Sequence, residues 1–193
     1  MSTKMKINRA CANPNRWTFT IKPIKEILKK YVRTGQGWVD PFSGRHSMAE
    51  FTNDLNPKIP AGYHLQAEDF CKMLEGKFNG VLFDPPYSPT QIKRSYEGMG
   101  LKPKQEETQS NFYSKVKNAI CDKIKMDGYS ISFGWESGGF GKARGFEIIE
   151  ILLIYHGSHH NDTIVTVEQK KWEQKKINFP DQAAGDPAGP ARG

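Results

Sequence analysis

The chain has 193 residues, enough for one domain with tails, and a hydrophobic content of 37%, modest but sufficient for a core. Its formal net charge of +7 is compatible with a phosphate-bearing partner. No apolar run approaches the roughly 20 residues that span a bilayer, and the polar, basic residues 1–9 lack the apolar segment of a secretory signal. Cys11, Cys71 and Cys121 are far apart and odd in number, which indicates reduced thiols in a cytoplasmic setting rather than a disulfide framework or a zinc site.

Residues 1–15 read as a flexible N-terminus, residues 16–178 as the domain, and residues 179–193, rich in Ala, Gly, Pro and Asp, as a disordered tail. Ile24, Ile27, Leu28 and Tyr31 recur at helical spacing, with Pro23 suited to a first turn and Gly35 and Gly37 to a stop. Trp38-Val39 reads as a very short buried strand closed by residues 40–44. Residues 47–53 are expected to hold a short helix and the start of a second strand ending near Asp54. His64-Leu65-Gln66 reads as a weak third strand, and residues 69–74 as a helix.

Gly80-Val81-Leu82-Phe83 is an apolar strand that stops on Asp84-Pro85-Pro86-Tyr87, because neither proline can donate to a sheet ladder. Residues 88–110 are polar and read as a long loop, either solvated or contacting nucleic acid through Arg94 and Tyr96. Phe112, Val116, Ile120 and Ile124 predict a basic amphipathic helix ending at Asp127-Gly128. Residues 129–133 and 146–155 read as strands, and residues 163–167 as a last strand in a hairpin with its predecessor. The glycine-rich residues 137–145 lack P-loop spacing and read either as a plain linker or as a loop over a target base, with Trp135 and Phe140 beside it. His156, His159, His160 and Asp162 fall in a hairpin turn, where solvent-facing roles outweigh a metal, so no metal is expected. Strand and helix signals alternate and two strands close the chain, which suggests an α/β doubly wound sheet with an antiparallel end.

Asp84-Pro85-Pro86-Tyr87 resembles the catalytic tetrapeptide of S-adenosylmethionine-dependent amino-methyltransferases, above all those that methylate adenine N6 in DNA. Four further segments resemble that family in the expected order. Residues 19–24, with Lys22, resemble the N-terminal cofactor-contact segment. Asp40, Phe42 and Gly44 resemble the cofactor turn, although the chain continues Arg45-His46-Ser47 where many members have further glycines. Asp54 resembles the acid that binds the ribose hydroxyls, and Asp69 with Phe70 the acid and aromatic that hold the cofactor adenine. Glu68 and Asp69 are equally suited to be the first-turn acids of a helix.

The resemblance implies a Rossmann-like methyltransferase fold, mostly parallel with an antiparallel C-terminal hairpin, binding S-adenosylmethionine and acting on DNA or RNA. The exocyclic amine of adenine is a poor nucleophile because its lone pair is delocalised into the ring. Two acceptors, the Asp84 carboxylate and the Pro85 carbonyl, suit its two N–H bonds. Pro86 stiffens the segment, and Tyr87 is placed to stack on a flipped base. Arg94, Tyr96, Trp135 and Phe140 are the expected substrate contacts. No segment between the motifs is long enough for a separate target-recognition domain, as in small phage-type members. RNA, cytosine N4, a protein amide, or a non-catalytic subunit that keeps the fold remain alternatives.

Overall fold

A computed structural model describes residues 4–86, 89–97, 112–157 and 160–173. Phe78–Phe83 (β4) is buried at every position but Asn79. A strand apolar on both faces belongs inside a sheet with a layer on each side. β4 accordingly lies between Trp38–Asp40 (β2) and Ile124–Gly134 (β5), parallel to both. The sheet continues from β2 to Phe51–Thr52 (β3) on one side. On the other side β5 is followed by Thr163–Lys170 (β7), Phe146–Tyr155 (β6) and Lys6–Cys11 (β1). β7 runs antiparallel to β5 and β6, while β1 is parallel to β6. Both the mostly parallel sheet and the antiparallel C-terminal hairpin match expectation.

Alternation along the strands divides the core in two. Trp38, Leu82, Ile131 and Val165 pack with Ile24, Ile27 and Leu28 of Lys22–Tyr31 (α1). Val39, Val81 and Phe83 pack on the opposite face with Phe70 and Cys71 of Ala67–Met73 (α2) and Val116 and Ile120 of Phe112–Cys121 (α4). Pro89–Glu97 (α3) follows the end of β4. Among the described residues no helix is long and apolar enough to cross a membrane.

Several expectations are corrected. Lys6–Cys11, read as part of a loose terminus, forms a strand whose ladder to β6 is made by the backbone, so its mostly exposed side chains carry no apolar pattern. His64-Leu65-Gln66 is not a strand; a single bridge joins Asn53 to Tyr63. No helix forms over residues 47–53. Residues 89–97, read as loop, are helical, with Pro89 in the first turn and Ile92 buried. Residues 98–111 lie outside the described residues, as does the tail after residue 173.

The fourfold spacing of Phe112, Val116, Ile120 and Ile124 overran its helix. α4 ends at Cys121, and Ile124 opens β5 opposite Phe78. The next pairing is Gly80 with Tyr129, so residues 125–128 stand opposite Asn79 alone in a bulge, with Asp127 at φ 60°. Asp127-Gly128, read as a helix stop, is a kink inside a strand.

The crossover from β5 to β6, residues 135–145, contains no α-helix, only a short 3₁₀ turn at Lys142–Arg144. Irregular backbone over a buried sheet needs partners for its N–H groups. Glu168 of β7, fully buried, provides them: its carboxylate accepts from the backbone N–H of Phe140 at 2.6 Å and Gly141 at 2.7 Å, and from the Ser130 hydroxyl at 2.8 Å. Gly139 adopts φ 50°, and a Cβ there would sit 2.3 Å from the Glu168 carboxylate, so the close approach requires glycine. Glu168→Ala leaves these buried donors without an acceptor and is expected to lower the unfolding free energy by about 2–4 kcal/mol in urea titration. The exposed control Glu147→Ala should stay within about 0.5 kcal/mol. A Glu168→Ala loss no larger than the control's would show that the crossover does not lean on this carboxylate.

Candidate active site

Strand order reverses at β2. The chain leaves β2 outward to β3, then returns through α2 to β4 on the other side of β2. In an open parallel sheet such a reversal leaves a crevice beyond the carboxyl ends of the strands, where no crossover covers it. Residues 41–46 after β2, 53–56 after β3 and 84–86 after β4 meet there. With residues 16–19 and 65–67, and with Tyr96, Phe112 and Tyr113, they line a cavity of about 680 Å³. That volume is in the range of small-molecule and cofactor sites.

Asp40 ends β2 fully buried. Its carboxylate accepts from the Phe42 N–H at 3.0 Å and from the Ser47 hydroxyl at 2.6 Å, so it braces the turn from behind and does not line the cavity. Burial pushes its pKa up to about 7; the two hydrogen bonds oppose the shift, and the charges of Asp84 and Asp54 add to it. Gly44 adopts φ 53°, and a Cβ there would find no atom nearer than the Trp17 ring at 3.9 Å, so its missing side chain leaves space on the cavity wall. Its N–H donates to Asp54 Oδ2 at 3.1 Å, while Asp54 Oδ1 accepts from the Asn56 N–H at 2.9 Å. Burial raises the Asp54 pKa as well.

Asn53, 1% exposed, ties the walls together. Its amide nitrogen donates to the carbonyls of Pro41 at 3.1 Å and Leu65 at 3.0 Å, and its carbonyl accepts from the Leu65 N–H at 2.9 Å. The backbone adds Asn53 N–H to Asp40 O and Ser43 N–H to Asn53 O, both at 2.9 Å.

Beyond β4, Pro85 is buried, while Asp84 and Pro86 are half-buried on the cavity wall. The Tyr113 hydroxyl donates to the Pro86 carbonyl at 2.7 Å. Tyr87 lies outside the described residues. At the opposite rim the Arg16 guanidinium lies 4.8 Å from the centre of the Trp17 ring, and His46 meets that ring edge-on at 5.4 Å. Arg45 donates to the Lys58 carbonyl at 3.3 Å.

Of the residues singled out in the sequence, Phe42, Gly44, Asp54, Asp84, Pro85, Pro86 and Tyr96 converge on the cavity. Four lie elsewhere. Lys22 is exposed at the start of α1, and residues 16–19 reach the cavity in its place. Asp69 is exposed in the first turn of α2 beside Glu68, where acids suit the helix dipole, and Phe70 is a core residue. Gln66 and Ala67 occupy the position assigned to that pair, and Gln66 donates to the Tyr96 hydroxyl at 3.4 Å. Phe140, 1% exposed, packs between Phe83 and Phe146 and has no face for a base. Trp135, 44% exposed, follows the end of β5, the strand next to β4, but does not line the cavity. Arg94 lies on α3; its side chain is outside the description.

Sequence reading missed Arg16, Trp17, His46, Asn53, Gln66 and Tyr113. Trp17 stands beside the quoted N-terminal segment, and Asn53 beside Asp54, so adjacency to a motif was the available signal. Gln66 and Tyr113 act through distant partners and had none.

The donor set suits a nucleoside carrying an amino-acid arm and a cationic centre. The Asp54 carboxylate can accept from vicinal hydroxyls, Gly44 leaves space on the wall beside it, and Asp84 adds a second carboxylate. The Ser43 hydroxyl, buried on that wall, has no hydrogen-bond partner among the described residues.

Solved structures share this architecture. TrmN from Thermus thermophilus superposes with a TM-score of 0.52 at 14% identity, over 78% of this chain and 49% of its own. The Escherichia coli protein yhhF, assigned as a methyltransferase, does so with a TM-score of 0.52 at 10% identity, over 82% of this chain and 90% of its own. No family model matches the chain, and no curated protein matches its sequence. At these identities the likeness establishes the fold: it is the Rossmann-like fold of S-adenosylmethionine-dependent methyltransferases.

The Asp40 proton has a measurable consequence. Its pKa in the folded chain, about 7, exceeds the ordinary 3.8, so the folded state keeps a proton that the unfolded state releases. This contribution is fully present below the ordinary value and is lost as pH rises through the folded one. Stability of the wild type relative to Asp40→Asn should therefore fall as pH climbs from about 4 to about 7. Parallel stability curves for the two proteins over that window would mean that Asp40 is ionised throughout.

Proposed function

We propose that this chain transfers a methyl group from S-adenosylmethionine to the N6 amine of adenine in DNA. One observation carries the reading: Asp84-Pro85-Pro86 opens on the same cavity as the Gly44 turn and the Asp54 carboxylate. An acceptor pair for an amine and a set of groups suited to the cofactor thus share one space.

Asp54 would hold the ribose hydroxyls. The turn at residues 42–44, braced by Asp40, would lie along the amino-acid arm, and Gln66 with Ala67 would flank the adenine. When bound, the cofactor supplies a methyl group on a sulfonium, which leaves as a neutral thioether. Asp84 accepts one N–H of the target amine and the Pro85 carbonyl the other. Together they favour the tetrahedral nitrogen whose lone pair can attack. As the N–C bond forms, the nitrogen loses a proton, for which Asp84 is the adjacent acceptor. Enclosure by the cavity would align the amine with the methyl group, and such alignment supplies much of the acceleration in displacements of this kind.

A polyanionic substrate is favoured by the net charge of +7 and by Arg16 and Arg45 at the rim. Tyr87, which follows the prolines, is the aromatic group proposed to stack on the extruded base. With no separate recognition module between the motifs, target choice would be short or loose.

The test is transfer of tritiated methyl groups to DNA, RNA and protein pools, with the product nucleoside identified. N6-methyladenine in DNA is expected, and Asp84→Ala should lower the rate by about a hundredfold or more with the thermal midpoint unchanged. Label in RNA or protein alone would move the substrate class. Wild-type rates in a folded Asp84→Ala would remove Asp84 from the chemistry.

A further inference from the structure

We propose that Tyr113 is the positioning residue of the catalytic segment, holding the Pro86 carbonyl so that the Asp84 carboxylate and the Pro85 carbonyl face the substrate amine together. The proposal rests on the methyltransferase reading above and deepens it.

The need follows from the sequence of the segment. Pro85 and Pro86 have no backbone N–H, so these residues cannot anchor themselves by donating hydrogen bonds. Their only polar backbone groups are carbonyls, and a donor from elsewhere in the fold must fix them. Tyr113 is that donor, with its hydroxyl 2.7 Å from the Pro86 oxygen. Satisfying the Pro86 carbonyl from the protein side fixes the peptide plane after Pro86. It leaves the Pro85 carbonyl as the acceptor directed at the substrate.

The ring of Tyr113 also touches the other parts of the site. It meets Phe42 of the cofactor turn edge-on at 5.9 Å and Phe83, the last residue of β4, edge-on at 6.3 Å. One side chain therefore spans the cofactor turn, the end of the catalytic strand and the prolines. Its own support is rigid: α4 is fixed by Val116 and Ile120, both fully buried. Burial raises the phenol pKa, with the neighbouring Tyr96 adding to the shift, so the hydroxyl keeps its proton and remains a donor throughout the working range. A catalytic group held by a locked supporting side chain meets the geometric tolerance that transfer chemistry demands.

Tyr113→Phe removes the hydroxyl and keeps the ring, which separates positioning from packing. Steady-state methylation of adenine-containing DNA and calorimetric binding of S-adenosylmethionine should be measured for wild type, Tyr113→Phe and Tyr113→Leu. The expected result for Tyr113→Phe is a kcat reduced about tenfold, with cofactor affinity and the KM for cofactor within about twofold of wild type. Tyr113→Leu, which also removes the ring beside Phe42, should lose cofactor affinity as well. A wild-type kcat in Tyr113→Phe overturns the inference. So does a parallel fall of kcat, cofactor affinity and thermal midpoint in that variant, which would mean general support of the fold. A wild type with no activity on DNA fails the proposed function, and this inference with it; an active wild type beside an unaffected Tyr113→Phe fails the inference alone.

Discussion

The candidate site depends on one buried carboxamide. Parallel strands end in loops whose backbone groups have no ladder partner, and three such loops meet where the strand order reverses. Asn53 joins the first two of them to the entry of α2, by donating to Pro41 and Leu65 and accepting from Leu65. A side chain with both donors and acceptors is needed, because each loop presents a carbonyl, an N–H, or both. An aspartate in that place could not donate, and an apolar residue would leave the buried groups unpaired. The turn at residues 41–46, the Asp54 loop and the entry to α2 keep a common geometry because they share this partner.

Charge is distributed around that frame with a bias. Asp40, Asp54 and Asp84 stand close enough that the latter two raise the pKa of the first, after the larger effect of burial. Of the three, Asp54 and Asp84 line the cavity, and two carboxylates on one wall favour a ligand with positive charge. The outer rim differs, with Arg16 stacked on Trp17 and Arg45 beside it. Acidic and basic side chains thus line one cavity.

Much of this was legible in the sequence, for local reasons. A strand that ends on Asp84 and two prolines announces its own edge, and a short strand followed by an acid and Gly44 announces the turn that faces it. Those signals depend on a residue's own backbone preferences. What stayed hidden depends on partners far along the chain. Lys6–Cys11 has no apolar pattern because only its backbone pairs. Phe140 sits in a glycine-rich stretch that reads as a flexible loop, yet Glu168 on another strand pins it into the core. Ile124 continues the helical spacing of α4, but Phase-matching in sequence does not reveal the bulge that places it in β5. Tyr113 carries no local mark of its bond to Pro86 across the undescribed residues 98–111.

The proposed methyl transfer requires that the cavity beside Asp84 accept S-adenosylmethionine. Calorimetric titration of that cofactor into the purified protein tests it most directly. Saturable binding of one molecule per chain, displaced by S-adenosylhomocysteine, is the expected result. Absence of binding heat at several temperatures, together with no protection of the thermal midpoint by the cofactor, would contradict it and leave a methyltransferase fold used for something other than methyl transfer.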